Sequence, residues 1–181
     1  KWAEEIKDEF NLRQINGKII GDSSRYIDDR LGIGWNYSNR ANGQLAEVNA
    51  LTYNLGVVEV EFDAGRSPGK RVYYEEYPES DYITIENEVL VAEPEDVPQG
   101  VSFVRVEETN VHTAFGTLPQ DTIEIYGTAV HDSALFTATL FQNALDRKGI
   151  RTGIQPSVRY ANLNNYLTIN NDGTVLLQHQ S

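Results

Sequence analysis

Short apolar segments separated by turn residues fill the middle of this chain and constrain its fold more than any other feature. Residues 57–62 alternate apolar and acidic side chains, which is typical of a strand with one buried face. Pro-Gly at positions 68–69 predicts a turn. Further short strands are predicted at residues 72–74, 82–85, 89–91, 103–106, 111–115 and 123–130. Turn signals separate them about every eight to twelve residues, which predicts a compact antiparallel β unit over about residues 59–127.

Two segments outside this unit have helical periodicity. Trp2, Ile6 and Phe10 are spaced four residues apart, which places them on one face of a short amphipathic helix. A longer helix is predicted to begin at Asp132 or Ser133, since either side chain can cap it, and to end at the Lys-Gly pair 148–149. The chain is therefore predicted to have an α+β fold that is mainly β.

The remaining segments predict connections and short strands. Residues 15–20 predict a strand, whereas residues 22–45 are rich in Gly, Asn, Ser and Asp and predict a long ordered loop. Asn-Asp-Gly at positions 171–173 predicts a hairpin over residues 166–178. We expect two subdomains: a discontinuous α+β one formed by residues 1–58 and 128–181, and a small β subdomain of residues 59–127 nested within it.

Composition excludes several classes of function. The chain has 181 residues and a formal net charge of -12, and its 15 Lys and Arg are scattered, whereas phosphate binding requires clustered cations. We therefore expect no nucleic-acid partner. The absence of cysteine excludes disulfides and thiolate metal sites, and no apolar run approaches the ~20 residues of a transmembrane helix. Because methionine is also absent, the chain is expected to be a processed product or an excised piece.

Several sequence blocks resemble one family when they are taken in order. They are Gly-Lys-Ile-Ile-Gly-Asp-Ser-Ser-Arg-Tyr at residues 17–26, Gly-Trp at 34–35, Ala-Leu-Thr-Tyr-Asn at 50–54, Pro-Glu-Ser-Asp-Tyr-Ile-Thr-Ile-Glu-Asn at 78–87, a Gly-Thr-Leu-Pro turn at 116–119, Val-His-Asp at 130–132 and Leu-Leu-Gln-His-Gln-Ser at 176–181. Together these blocks touch nearly the whole chain. They resemble the insertion region of the D-alanyl-D-alanine carboxypeptidase/endopeptidase family, the class C penicillin-binding proteins.

This resemblance implies that the family's chemistry lies outside the chain. Members carry a Ser-x-x-Lys nucleophile motif before the insertion, and Ser-x-Asn and Lys-Thr-Gly motifs after it. The parent protein would act on peptidoglycan peptides through an acyl-enzyme, without a cofactor, and β-lactams would bind the parent only. A periplasmic or otherwise extracytoplasmic location is implied as well. An acylating serine needs a lysine base and an oxyanion hole, so we expect this chain alone to be inactive and assign no catalytic residue.

Three segments imitate the catalytic motifs. Ser67 and Lys70 have the Ser-x-x-Lys spacing, but the motif works on a helix and Pro-Gly between them predicts a turn. Arg-Thr-Gly at residues 151–153 follows a predicted helix end and is interpreted as a connector. Tyr-Ser-Asn at residues 37–39 resembles a Ser/Tyr-x-Asn element, but the chain supplies no nucleophile for it.

The loop after Gly34-Trp35 is the predicted place of substrate contact. In family members that act on diaminopimelate-type peptides, an acidic residue four positions after this tryptophan can meet the substrate's amine. Asn39 holds that position here, and an amide cannot make the charge-assisted contact of a carboxylate. Either the substrate end differs, or Asp28 and Asp29 take that part, or the loop has no such role. Asn39, Trp35, Asp28 and Asp29 are therefore the candidate substrate-contact residues.

No metal site is expected, because His112, His131 and His179 lie in separate predicted elements without i, i+4 pairing. His131, beside the predicted helix cap, is interpreted as structural. Two other function classes stay open: a stand-alone module that binds cell-wall peptides or glycans through residues 26–44, and a purely structural interaction domain. The sequence predicts neither the peptide specificity nor the oligomeric state.

Overall fold

The computed structural model describes residues 1–27, 30–32, 34–35 and 39–161 of the chain. In this part of the chain two α-helices accompany eleven strands, which fits the predicted α+β, mainly β fold. The elements are α1 Trp2–Phe10, β1 Gln14–Ile15, β2 Ile20–Ile27, β3 Val57–Ala64, β4 Tyr73–Tyr77, β5 Thr84–Asn87, β6 Leu90–Val91, β7 Gly100–Arg105, β8 Val111–Leu118, β9 Thr122–Ala129, α2 Ser133–Arg147, β10 Arg151–Thr152 and β11 Ser157–Ala161.

A three-stranded antiparallel sheet has the order β4-β3-β9. β3 and β9 pair over their full length, from Val57 opposite Ala129 to Ala64 opposite Thr122. The alternation read in the sequence is confirmed, since Val58, Val60, Phe62 and Ala64 are buried while Glu59 and Asp63 are exposed. One face of this sheet therefore covers the core and the other meets solvent.

A second sheet is built around β8 and is mixed, so the predicted purely antiparallel arrangement is wrong here. β7 runs antiparallel to β8, but β5 and β6 both pair with β8 in parallel. Turn spacing alone does not distinguish parallel from antiparallel pairing, because it indicates where strands end and not which strands pair. Gly116 lies inside β8 rather than in the predicted turn at 116–119.

The N-terminal third pairs with the segment that follows α2. β2 runs parallel to β11, and β1 runs parallel to β10. The predicted strand over residues 15–20 and loop from residue 22 are therefore wrong, because the strand begins at Ile20 and continues to Ile27. Arg-Thr at positions 151–152, interpreted as a connector, forms the short strand β10.

Helix α2 is central to the core. Asp132 caps it by accepting a hydrogen bond from the Leu135 N–H at 2.9 Å, as predicted. Phe136 and Leu140 pack with the buried residues of both large sheets. The opposite end of the helix contributes Leu145 to a smaller cluster with Ala3 of α1 and Ile150. Neither helix of the described chain is long and apolar enough to cross a membrane.

The predicted hairpin over residues 166–178 lies outside the described residues. The division into residues 1–58 with 128–181 and residues 59–127 stays a prediction. Its boundaries fall within β3 and β9, which pair with each other.

Candidate functional site

A polar pocket of about 230 Å³ lies beside the start of α2. Its lining residues are Arg30, Leu31, Arg40, Glu47, Arg105, Glu108 and His131. We call it the Glu47 pocket, because the Glu47 side chain, 7% exposed, contacts several of the others. The pocket brings together residues from four separate parts of the chain.

The Glu47 carboxylate accepts three hydrogen bonds and one longer ionic contact. Oε1 lies 2.9 Å from Nδ1 of His131 and 3.9 Å from a guanidinium nitrogen of Arg105. Oε2 lies 3.3 Å from the Arg30 guanidinium and 3.0 Å from the backbone N–H of Asp132. Both oxygens are thus satisfied by cationic or N–H donors, as a buried carboxylate requires.

The junction between β9 and α2 is held rigidly at this pocket. The backbone of His131 exchanges two hydrogen bonds with the Asn110 side chain, at 2.7 and 3.1 Å. The Tyr82 hydroxyl donates to the carbonyls of His131 and Asp132, both at 3.1 Å. Burial and the negative charges of Asp132 and Glu47 raise the pKa of Tyr82, so the hydroxyl stays a donor.

Three arginines approach the pocket from different sides. Arg105 ends β7 on its inward face, is 5% exposed, and donates to the Ala129 carbonyl at 2.9 Å. Arg40 reaches the Arg105 carbonyl at 3.4 Å. Arg30 stacks over the Tyr160 ring, 5.5 Å from its centroid, and Tyr160 in turn hydrogen-bonds Asp132. The guanidinium groups of Arg30 and Arg105 are therefore held by contacts outside the pocket as well as by Glu47.

The electrostatics favour an ionised Glu47. Burial alone would raise the pKa of this carboxyl, but the His131 hydrogen bond, the nearby Arg30 charge and the Asp132 N–H outweigh it, so the pKa lies below its ordinary value. Three guanidinium groups and the carboxylates of Glu47 and Glu108 line the pocket. The Asp132 carboxylate lies a further 3.9 Å from the Arg30 guanidinium, so cationic and anionic groups are balanced at this site.

His112 lies behind the pocket and is fully buried. Its Nδ1 is 2.9 Å from the Thr128 hydroxyl, which donates its proton to the Ala41 carbonyl at 2.9 Å. Thr128 can therefore only accept from His112, so Nδ1 carries the imidazole proton. Burial and the Arg105 charge lower the pKa of His112 to about 3, which keeps this ring neutral.

The predicted substrate-contact residues are only partly described. Asn39 is exposed, and its carbonyl accepts the Asn42 N–H at 2.9 Å. Trp35 is half-buried, and its ring lies against Gly32. The backbone N–H of Trp35 donates to the Gly32 carbonyl at 3.1 Å. Neither lines the Glu47 pocket. Asp28 and Asp29 lie outside the described residues.

The motif look-alikes are also located. Ser67 and Lys70 are exposed in a turn closed by the Lys70 N–H on the Ser67 carbonyl at 3.2 Å. Of the Tyr-Ser-Asn element, only Asn39 is described. Within the described ranges no group of three or more His, Asp or Glu could hold a metal ion.

Sequence reasoning missed the acid and the three arginines of the pocket. One signal was available: Arg105 follows Val101 and Phe103 at the same alternate positions of a strand whose inward face is apolar. A charged residue at such a position is rarely buried without a partner, so a counter-charge was required. The sequence alone did not identify that partner, since Glu47 lies in an irregular segment far from β7.

The comparisons with known proteins agree with this architecture. The chain has a similar fold to a crystal structure of penicillin binding protein 4 (dacB) from Haemophilus influenzae, with a TM-score of 0.66 and 21% identity over 87% of this chain and 34% of that one. The structure of the Haemophilus influenzae protein complexed with a novel beta-lactam gives a TM-score of 0.57, also at 21% identity, over 87% of this chain and 31% of that one.

The chain therefore spans about a third of the length of those two chains. No curated protein matches its sequence. A family model does match, however, and over all of residues 1–181: it is that of the D-Ala-D-Ala carboxypeptidase 3 (S13) family. The resemblance drawn from the short sequence blocks is thereby confirmed, and this chain belongs to the D-Ala-D-Ala carboxypeptidase 3 (S13) family.

Proposed function

We propose that the chain is the non-catalytic insertion region of a serine-type D-Ala-D-Ala carboxypeptidase/endopeptidase that acts on peptidoglycan peptides outside the cytoplasm. Family membership over residues 1–181 and the coverage of only about a third of two similar chains support this proposal. The parent protein supplies the acylating serine and its base, and it hydrolyses its substrate through an acyl-enzyme. In that arrangement this chain shapes and braces the substrate cleft.

The observation that carries the proposal is the anchoring of the predicted substrate-contact segment. Arg30 precedes this segment, and Arg40 and Glu47 follow it. The Val48 N–H bonds the Arg30 carbonyl at 2.9 Å, and the Arg30 guanidinium lies 3.3 Å from Glu47. Since Glu47 also contacts Arg105 and His131, both flanks are tied to β7 and to the start of α2. Fixed residues on both sides of Trp35 and Asn39 support a positioning role for these two residues.

Fluorescent penicillin tests the location of the chemistry. We expect stoichiometric acylation of the longer parent gene product and no labelling of the 181-residue chain, because only the parent holds a nucleophile with its base. Boiling the parent before labelling is the control for folded-site acylation. Labelling of the isolated chain would contradict the proposal, and Ser67→Ala would then show whether that hydroxyl is the nucleophile.

A second experiment tests the substrate contact. In the parent protein, Asn39→Asp places a carboxylate at the exposed position after Trp35, and Trp35→Ala removes the ring that lies against Gly32. We expect both to change KM for a diaminopimelate-containing peptide, with Asn39→Asp lowering it because a carboxylate pairs with the substrate amine. If both variants keep the KM of the wild type, the loop does not contact the substrate.

A stand-alone binding module is the second candidate, and the presence of a polar, arginine-lined pocket at Glu47 is the observation that favours it. A module of this kind would hold the carboxylate end of a cell-wall peptide without the parent. Isothermal titration of the 181-residue chain with a muropeptide distinguishes the binding module from the insertion region. The binding module is expected to bind the muropeptide, whereas the isolated insertion region is not. A purely structural domain likewise binds none, but its Asn39 and Trp35 variants leave the parent's KM unchanged.

A further inference from the structure

Strand β4 has one unpaired edge. It stands at the end of the order β4-β3-β9, and among the described residues β3 is its only partner. On the other side, pairing stops just before the strand: the Val72 N–H bonds the Val89 carbonyl at 2.9 Å, and Arg71 bridges Leu90. Alternate residues of β4 therefore direct their N–H and C=O groups away from β3, and no strand of the described chain receives them.

A groove of about 780 Å³ follows this edge. Every residue of Tyr73–Tyr77 lines it, together with residues 79–81 and 83–85 on the opposite wall. Because residues from both faces of β4 line the groove, it runs along the edge of the strand rather than over one face. Five residues in a strand span about 16 Å, so an extended segment of similar length fits beside β4.

Side-chain hydrogen bonds connect β4 and the segment before it to β5. The Tyr74 hydroxyl donates to the Ile85 carbonyl at 3.2 Å, and both residues line the groove. Next to the groove, the Asn87 amide donates to the Val72 carbonyl at 2.7 Å. β4 and β5 are thus separated by a tyrosine side chain instead of being joined by a hydrogen-bonded ladder. The separation is built into the fold.

The charge of the groove has a single sign. Its described lining carries Glu75, Glu76, Glu79 and Asp81 and no Lys or Arg. The hydroxyls of Tyr73 and Tyr77 both donate to the Glu75 carboxylate, at 2.9 and 2.5 Å. These two tyrosines are 63% and 48% exposed, so each offers an aromatic face to a cation next to the carboxylate.

We propose that this groove binds an extended cationic peptide, which adds to β4 as a further strand and places basic side chains against Glu75 and Glu76. The unpaired edge supplies main-chain hydrogen bonds, and the four carboxylates supply charge complementarity. Lysine or arginine opposite Glu75 forms a cross-strand pair with a carboxylate flanked by tyrosines. The inference does not depend on the proposed function.

The charges also disfavour a second copy of this edge as the occupant. Antiparallel pairing of β4 with another β4 would bring Glu75 and Glu76 of each copy close to those of the other. Like charges directly opposite destabilise a strand pair. Glu76 is already partly buried near Glu79 and Asp81, and burial together with these charges raises the pKa of Glu76. A cationic partner relieves this repulsion, whereas another acidic edge adds to it.

The test uses the 181-residue chain and the peptide Thr-Lys-Val-Lys-Val-Lys-amide. Fluorescein is attached to the N-terminal amine of the peptide, so that every lysine keeps its charge. Fluorescence anisotropy measures the affinity, and hydrogen exchange measures protection of the amides of residues 73–77. We expect saturable binding and slower exchange of those amides. The peptide with Glu in place of Lys is expected to bind at least about tenfold more weakly, since it loses the ion pairs.

Two double variants identify the site. Glu75→Gln with Glu76→Gln is expected to weaken binding about tenfold or more. The matched control, Glu59→Gln with Asp63→Asn, removes two exposed carboxylates of β3 that do not line the groove, and it is expected to change affinity less than twofold. Equal weakening by both pairs would overturn the proposal, because it would show attraction to net charge alone.

A third peptide tests the added strand itself. N-methylation of alternate residues of the lysine peptide keeps its charge but removes the donors of a β-ladder. We expect this peptide to lose both binding and amide protection. Strand addition is wrong if the N-methylated peptide binds as well as the unmethylated lysine peptide. It is also wrong if the lysine peptide binds without slowing amide exchange at residues 73–77.

Discussion

The Glu47 carboxylate is an anionic partner of two arginines, Arg30 and Arg105. Arg105 is almost fully buried and Arg30 is about one quarter exposed, and neither guanidinium can lose its proton. Their charges are therefore permanent, and the buried part of each needs a fixed anion nearby. Glu47 contacts both guanidinium groups, and Asp132 lies 3.9 Å from that of Arg30. Because Glu47 contacts both arginines, we expect it to be the most sensitive position of the site.

Glu47→Gln is expected to lower the free energy of unfolding by about 3 kcal/mol, because it removes the buried carboxylate that contacts Arg30, Arg105 and His131. Urea denaturation of the 181-residue chain measures this loss. Glu59→Gln on the exposed face of β3 is the control and is expected to change stability by less than about 0.5 kcal/mol. Equal effects of the two variants would mean that the ion pairs of the pocket contribute little.

His112 gives the chain a defined dependence of stability on pH. Its pKa is about 3 in the fold against an ordinary value of 6.5, so the unfolded chain binds the proton first as pH falls. Stability from this residue is complete above pH 6.5 and is lost at up to about 1.4 kcal/mol per pH unit between 6.5 and 3. His112→Gln is expected to flatten that slope in urea titrations between pH 7 and 5. An unchanged slope would contradict the neutral, buried imidazole.

For single residues, the sequence predicted only features that depend on neighbouring residues in the chain. The Asp132 cap was predictable because capping requires only the residues of the helix start. The Glu47 pocket was not, since its members are brought together by tertiary contacts between segments with no shared pattern. The candidate residues Trp35 and Asn39 came from a family resemblance, and their role stays a prediction.

One position of β8 leaves no space for a side chain. Gly116 has φ +131°, and a Cβ there would lie 2.0 Å from the Gly100 carbonyl oxygen. The side chain would collide with backbone of β7, its antiparallel partner. The Gly-Thr-Leu-Pro block therefore has a physical reason for its glycine, although that reason is strand approach rather than the turn expected from the sequence.

Gly116→Ala is expected to destabilise the chain by about 3 kcal/mol through backbone strain and overpacking. The matched control is Gly65→Ala, since Gly65 has open space at its Cβ and is expected to change stability by less than about 1 kcal/mol. Thermal unfolding followed by circular dichroism compares the two. Equal melting temperatures would show that β7 and β8 can separate without cost.

Elements with a strong local period were predicted well, and those set by partners were not. α2 and β3 follow helical and alternating patterns over most of their length. β2 reads Ile-Gly-Asp-Ser-Ser-Arg-Tyr-Ile, which has no apolar alternation, and its strand conformation depends on parallel pairing with distant β11. A side chain at Gly21 would collide with Leu51 and Ala138. Glycine at this position therefore allows β2 to pack closely against α2.

Across the whole molecule, α2 connects regions that the sequence divides. Phe136 and Leu140 complete the core of both large sheets, whereas Leu145 packs with Ala3 near the N-terminus. The proposed subdomains, if present, therefore share one helix. Their stabilities are coupled through it, because a change in the middle of the helix affects packing at both ends.

We expect one cooperative unfolding transition as a result. Trp2 and Trp35 are the two tryptophans, so fluorescence follows the N-terminal third, while circular dichroism follows mainly the central strands. The two urea curves should coincide, and Phe136→Ala should shift both to lower urea by the same amount, for a loss of about 3–5 kcal/mol. Separate midpoints would instead show that residues 59–127 unfold independently.

The contacts of Glu47 join residues that are far apart in the sequence, and this separation bears on the kinetics of folding. Its contacts join residues 17 positions away at Arg30 and 84 positions away at His131. Closing such loops costs chain entropy before any ion pair forms, so we expect this cluster to complete after local elements such as α2 and the β7–β8 pair. Loss of Glu47 is then expected to accelerate unfolding more than it slows folding. The ion pairs of the pocket would thereby lengthen the kinetic lifetime of the native chain.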